Sequence, residues 1–143
     1  MTTPYRPTLM FEVYRWAGTT PEQFREHYIT VHAQLGKKIP GIVWYETFFN
    51  EQPTPNWQAQ ERPRPDAYVI MKLESEQVLE EMRKTDEWRI AKEDDIGFAS
   101  HSFSQRVERI TWIPDADTVS VFHPDLTGLP LLSQDGHWAA CCC

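Results

Sequence analysis

The chain has 143 residues, a formal charge of −7 and a 13% aromatic share that includes 6 tryptophans. That length favours one domain with a real core, and the acidic balance argues against nucleic acid and anionic membranes, which select basic surfaces. No apolar run reaches the ~20 residues a spanning helix needs, and MTTPYRPTLMFEVYRW lacks the charged head and apolar middle of a secretory leader, so a cytoplasmic protein is expected.

Residues 1–7 hold Pro4 and Pro7 and read as a lead-in. Thr8–Trp16 reads as the first strand. Leu9, Phe11 and Val13 make a plain core face. Met10, Glu12, Tyr14 and Trp16 mix an acid and a phenol with apolar groups, as a ligand-facing surface does. After Ala17–Gly18, Thr20 is placed to cap a helix, with Pro21 in its first turn and Gln23 at the capping-box position. Phe24, Tyr28, Val31, Leu35 and Ile39 form one apolar stripe at helical spacing. His32 stands at its edge, one turn after Tyr28, and His27 falls on the opposite edge, toward solvent or the rim of an assembly. Pro40 and Gly41 stop the helix, and Ile42–Phe49 reads as the second strand.

EQPTPNWQAQERPRPD, residues 51–66, carries 4 prolines and reads as an extended loop. Trp57 within it either caps a pocket or pins the loop. Ala67–Glu74 is a strand with Val69, Met71 and Leu73 alternating. Ser75 caps a second helix with Val78, Leu79 and Met82 on its apolar side. Thr85 restarts that helix through Trp88 and Ala91 toward Asp94 and Asp95, and Gly97 ends it. Gln105–Pro114 is expected as the last strand.

The order is strand, helix, strand, strand, helix, strand. It implies a ferredoxin-like α+β sandwich over residues 8–114, followed by an extension over 115–143. Met10, Tyr14, Tyr45, Phe49 and Trp112 are expected on the sheet face without helices, which then needs a second copy to cover it. Residues 119–132 are expected to pack as an irregular strap. The 3 cysteines are the last three residues, too remote for a disulfide framework or a nucleophile in the domain. They are not a CaaX box, because Ala140 takes the required Cys position, and they read as a solvated tail tip.

His32 is the leading chemical candidate. Imidazole titrates near neutrality and both takes and gives a proton, whereas the plainer reading is a core-edge histidine bonded to backbone. Tyr28 is either a hydrogen-bond donor to a substrate oxygen or a core aromatic. Glu12 shares a face with Tyr14 and must be paired or protonated there, a salt bridge to Lys72 or Arg109 being the alternative. Asp94 and His101 flank the end of the second helix, placed to orient His32 or serve as a second acid. There is no glycine-rich phosphate loop, HExxH or CxxC, nor a haem or flavin fingerprint. His27 and His32 lie five apart, which misses the i, i+4 geometry of a helical metal site. No metal and no cofactor are expected.

The stretches FEVYRWAG, TTPEQFREHYITVHAQL and IPGIVWYE, with the later DEWRIAKEDDIGFASHS, carry a resemblance. Together, over about residues 8–113, the chain resembles the EthD-type family of the dimeric α+β barrel superfamily. Asp94 stands four residues before Phe98, as in that family, whereas Ser100 and His101 occupy a region where the family often has an acid. The resemblance implies a homodimer with a pocket between each sheet and its helices. It also implies cofactor-free chemistry on polyketide, aromatic or lactone substrates, alongside members with no assigned reaction. The implied function is a lyase of secondary metabolism, a dehydratase or decarboxylase acting on a polyketide-like or phenolic molecule. His32, which matches the family's helix histidine, would act with Tyr28 and Glu12. Tyr14, Trp16, Tyr45, Tyr68, Asp94 and His101 would contact substrate. An isomerase or cyclase using the same site, a cofactor-free monooxygenase and a non-catalytic dimeric binding protein are the alternatives.

Overall fold

The computed structural model describes residues 6–55 and 63–113. Trp57, the expected strap over 119–132 and the cysteine end lie outside the described residues. Strands β1 (Thr8–Arg15), β2 (Ile42–Phe49), β3 (Ala67–Leu73) and β4 (Ala99–Val107) form one sheet in the order β2-β3-β1-β4, and every neighbouring pair is antiparallel. Between β1 and β2 the chain runs through α1 (Pro21–His27), a π turn (Tyr28–His32) and α2 (Ala33–Gly36); α3 (Glu76–Met82) and α4 (Asp86–Phe98) follow β3. This is the ferredoxin-like α+β arrangement. Among the described residues no helix is long and apolar enough to cross a membrane.

Alternation along the strands sorts the side chains. Leu9, Phe11, Val13, Val69, Met71 and Leu73 meet Phe24, Tyr28, Leu79, Met82, Ala91 and Phe98 from the helices in one buried core. Each large side chain buried this way contributes roughly 1.5–3 kcal/mol. The helix starts are set locally. Thr20 and Gln23 close a capping box over α1, and Ser75 and Thr85 cap α3 and α4 through the amides of Val78 and Trp88. Each such cap is worth about 1 kcal/mol. After α2 the chain turns at Gly41, where φ is +88° and a Cβ would stand 2.1 Å from Val78 Cγ1, so only glycine fits.

Arg15, buried at the end of β1, ties four segments together. Its backbone amide donates to Asp66 Oδ2 at 2.9 Å and its Nε to the Thr19 carbonyl at 2.7 Å, while the guanidinium also bonds Asp66 Oδ1 and the Thr54 carbonyl. A buried charge is tolerated here because it is paired with Asp66 and each guanidinium nitrogen has an acceptor.

Three expectations need correction. The last strand spans Ala99–Val107 rather than Gln105–Pro114, and within residues 108–113 there is no regular structure and Trp112 is exposed. The alternation of β4 is hard to read because serines stand opposite the core residues of β1, Ser102 across from Val13 and Ser104 across from Phe11. Tyr45 and Phe49 lie on the helix side of the sheet, not the open side. A register irregularity between Ile42 and Trp44 sets Tyr45 across from Met71 and Phe49 across from Ala67, which turns Trp44 and Phe48 outward. The stripe also changes phase at the π turn. Val31 is 39% exposed, and His32 turns inward beside Tyr28.

Residues 6–107 form one compact unit; residues 108–113 fall outside it and expose Ile110, Trp112 and Ile113.

Candidate functional site

Between the sheet and the helices lies a cavity lined by Phe11, Val69, Met71, Trp88, Tyr28, Tyr45, His32, Lys92 and Asp95, among others, with ≈ 40 Å³ of space for water centres. At about 10–15 Å³ per sphere this holds only a few waters. Its walls are aromatic and aliphatic, and its polar groups converge from two sides, the pattern of a small-molecule site.

On the sheet side three hydroxyls form a chain. Thr47 Oγ1 donates to the Tyr28 hydroxyl at 3.0 Å, and the Tyr28 and Tyr45 hydroxyls lie 3.1 Å apart. With Thr47 as donor, Tyr28 passes its own proton toward Tyr45, leaving the Tyr45 O–H to donate further along the chain. Burial, then the neighbouring Tyr45, pushes the Tyr28 phenol far up; burial also pushes up the phenol of Tyr45. Both are neutral donors at any physiological pH. Gly36 makes room for Tyr45, because a Cβ there would stand 2.9 Å from its Cε2 and 3.1 Å from its hydroxyl.

On the helix side the imidazole of His32 is held between two carboxylates of α4. Nδ1 lies 2.9 Å from Asp94 Oδ2 and Nε2 lies 3.1 Å from Asp95 Oδ1. Carboxylates only accept, so a ring proton on Nδ1 is the one that Asp94 holds, while Asp95 approaches Nε2 at ion-pair distance. Lys92 Nζ lies 2.8 Å from the other oxygen of Asp95 and 5.5 Å from the centre of the Trp88 ring. The His32 ring packs against Tyr28 at 5.2 Å and Phe98 at 4.7 Å between centroids.

The π turn explains how these groups meet. The Ala33 N–H donates to the Tyr28 carbonyl, five residues back, and such a turn inserts one residue into the helical phase. Residues five apart then share a face. His27, expected toward solvent or an assembly rim, instead sets Nε2 3.0 Å from both oxygens of Asp94. The spacing of five, which fails for an α-helix, brings both histidines to one carboxylate. Among the described residues no group of three or more His, Cys, Asp or Glu side chains is arranged to hold a metal ion.

The other sequence candidates divide by face. Asp94 reaches His32, and Tyr28 and Tyr45 line the cavity. Glu12, Tyr14, Tyr68 and His101 lie on the opposite face of the sheet. There, Glu12 stands across from Tyr68 on one side and Phe103 on the other, and Tyr14 across from His101. Glu12 meets the Tyr14 hydroxyl only at a long 3.5 Å, and His101 Nδ1 bonds Ser100 Oγ at 3.0 Å. Trp16 is half-exposed and donates from Nε1 to the Ile96 carbonyl at 3.0 Å. Sequence reasoning passed over Asp95, Lys92, Thr47 and His27 as site residues. Asp95 adjoins a named acid and was within reach, whereas His27 requires knowledge of the π turn, which no residue pattern announces.

Residues 17–102 match the family model of the EthD domain. No curated protein matches the chain in sequence. Among solved structures, an EthD family protein from Bacillus halodurans is 20% identical, with 74% of this chain and 100% of that one covered and a TM-score of 0.59. A dimeric ferredoxin-like protein of unknown function from Thermobifida fusca is 15% identical over 76% of this chain and 95% of that one, with a TM-score of 0.55. A candidate antibiotic biosynthesis monooxygenase from Chloroflexus aurantiacus is 11% identical over 75% and 95%, with a TM-score of 0.50. At such identities the likeness is one of fold.

Proposed function

The chain belongs to the EthD domain family, and from that premise we propose a cofactor-independent lyase, a dehydratase or decarboxylase acting on a phenolic or polyketide-like molecule. The observation that carries the reading is His32. Its ring lines an aromatic cavity and is clamped by Asp94, while the Tyr28–Tyr45 hydroxyl pair lines the same cavity.

In this reading Asp95 Oδ1 holds the position that a substrate oxygen or carbon takes at His32 Nε2. Lys92 keeps Asp95 paired when it withdraws, so no charge is stranded. A flat ligand enters over Trp88 by moving that pair aside, since the closed cavity holds only a few waters. The Tyr45 hydroxyl, supported by Tyr28, then donates to a carbonyl or phenol oxygen of the substrate and stabilises its growing negative charge. For decarboxylation the His32 Nε2 proton passes to the ring carbon as the carbon–carbon bond breaks and carbon dioxide leaves. For dehydration, neutral His32 takes the proton next to a carbonyl, and the same proton returns to the departing hydroxyl, which leaves as water. An isomerase or cyclase uses the first half of the second sequence.

The open sheet face carries a row of Phe48, Tyr68, Glu12 and Phe103 across all four strands. Phe48 and Phe103 are more than half exposed. We propose that a second copy covers this face, closing the dimeric barrel and bringing Glu12, Tyr14, Tyr68 and His101 into the interface. Sedimentation at micromolar concentration should give a dimer, and a stable monomer contradicts this assembly.

The reaction is tested with the compound that accumulates when the gene is deleted. Incubated without oxygen, the purified protein should consume it with loss of water or carbon dioxide by mass. Consumption that requires oxygen assigns the protein to the monooxygenases instead, and an unchanged compound bound in the cavity assigns it to the binding proteins.

A further inference from the structure

His27 is the one histidine of the helix that the proposed reaction leaves without a task, and its placement is specific. The π turn sets it over Asp94, whose Oδ2 lies 3.0 Å from His27 Nε2 and 2.9 Å from His32 Nδ1. Exposure falls along this line, from 34% for the His27 side chain to 17% for Asp94 and 14% for His32. Phe98 packs on both rings, at 4.9 Å from His27 and 4.7 Å from His32 between centroids. Asp95, with Lys92 on its far oxygen, is the other charged contact of His32.

We propose that His27, Asp94 and His32 form a proton relay from solvent to the cavity, with His27 as its outer port. The inference rests on the acid/base reading of His32. A ligand filling the cavity blocks the direct path of water to His32 Nε2, so the ring must exchange protons through its other side. With His32 in its Nε2–H tautomer, a proton taken from water at His27 Nδ1 sends the His27 Nε2 proton to Asp94 Oδ2, and Asp94 passes it to the empty Nδ1 of His32. His32 releases one proton from Nε2 to the substrate. One proton enters and one leaves, Asp94 ends as it began, and both rings end in the opposite tautomer, which passage of a proton the other way restores. Proton abstraction from substrate runs the same route backwards. Histidine suits both ends because each ring takes a proton at one nitrogen and yields it at the other. His27 acts through His32 and is a positioning residue, since it does not line the cavity.

The relay is tested on the full chain without substrate, by the rate at which the His32 Nδ1 proton exchanges with water in nuclear magnetic resonance. His27→Gln keeps an N–H donor to Asp94 and removes the titratable ring. Exchange should slow on the order of 10²-fold, the lower end of what a positioned proton carrier contributes, and free imidazole should restore it. Unchanged exchange overturns the relay. So does faster exchange, which marks His27 as a shield, and so does slowed exchange that imidazole fails to restore. Turnover of a His32→Gln variant tests the acid/base reading separately, so the two fail by different measurements.

Discussion

Gly36→Ala probes the contact that seats Tyr45 against the helix. The residue closes α2 and has no positive φ, so alanine is compatible with its backbone. The added Cβ meets Tyr45 at 2.9 Å from Cε2, 3.1 Å from the hydroxyl and 3.2 Å from Cζ. The first distance is below any ordinary carbon contact, so the ring must retreat by several tenths of an ångström. Its hydroxyl partner, Tyr28, is only 3.1 Å away and is itself fixed by Thr47 and Phe49. Overpacking of this kind costs about 1–3 kcal/mol, against up to ~1 kcal/mol gained by replacing glycine with alanine in a helix. The net effect in the wild type is a loss of about 0–3 kcal/mol. With Tyr45→Leu already in place the clash is gone, and Gly36→Ala should stabilise by up to ~1 kcal/mol. Urea denaturation of the four proteins of this cycle gives the coupling directly. An equal effect of Gly36→Ala in both backgrounds refutes the claim that glycine is there for the tyrosine.

Asp66→Ala leaves the Arg15 guanidinium buried without its carboxylate, and should destabilise by about 3–5 kcal/mol in urea denaturation; a change under ~1 kcal/mol, as for surface pairs, contradicts the anchoring role. Alkaline pH should unfold the domain through Tyr28 and Tyr45. Their folded phenols are raised above the unfolded value of about 10, so the stability they carry is intact below that pH and lost above it, where only the unfolded chain ionises. Tyrosinate absorbance from these two residues, identified with Tyr→Phe variants, should rise together with unfolding; ionisation with the fold intact contradicts the burial argument.

The element order could be read from the chain because its local signals agree. Thr20 with Gln23, Ser75 and Thr85 mark helix starts, Gly41 marks the exit from the first helical stretch, and β1 and β3 alternate cleanly. The reading fails where a single residue is inserted. One irregularity in β2 turned Tyr45 from the open face to the cavity, and one π turn moved Val31 out and brought His27 and His32 together. Both leave composition untouched and change only phase, which a periodic pattern cannot locate. β4 was misplaced because Ser100, Ser102 and Ser104 stand where apolar residues were sought. Ser100 instead donates to the Arg15 carbonyl at 3.0 Å, beside a register irregularity of β1, and Ser102 lines the cavity. In the site, Asp94 and His101 read alike as groups to orient His32, and only Asp94 reaches it. The clamp by Asp95 and the hydroxyl chain from Thr47 arise from tertiary packing alone.

The central claim is that His32 carries the proton in the cavity. Turnover of His32→Gln on the compound that the wild-type protein consumes tests it most directly, with circular dichroism and the urea midpoint confirming an intact fold. The account predicts a fall in kcat of ~10²–10⁴-fold, the usual contribution of a positioned acid or base, with KM little changed. Near wild-type turnover would contradict it and leave His32 as a core histidine satisfied by Asp94 and Asp95.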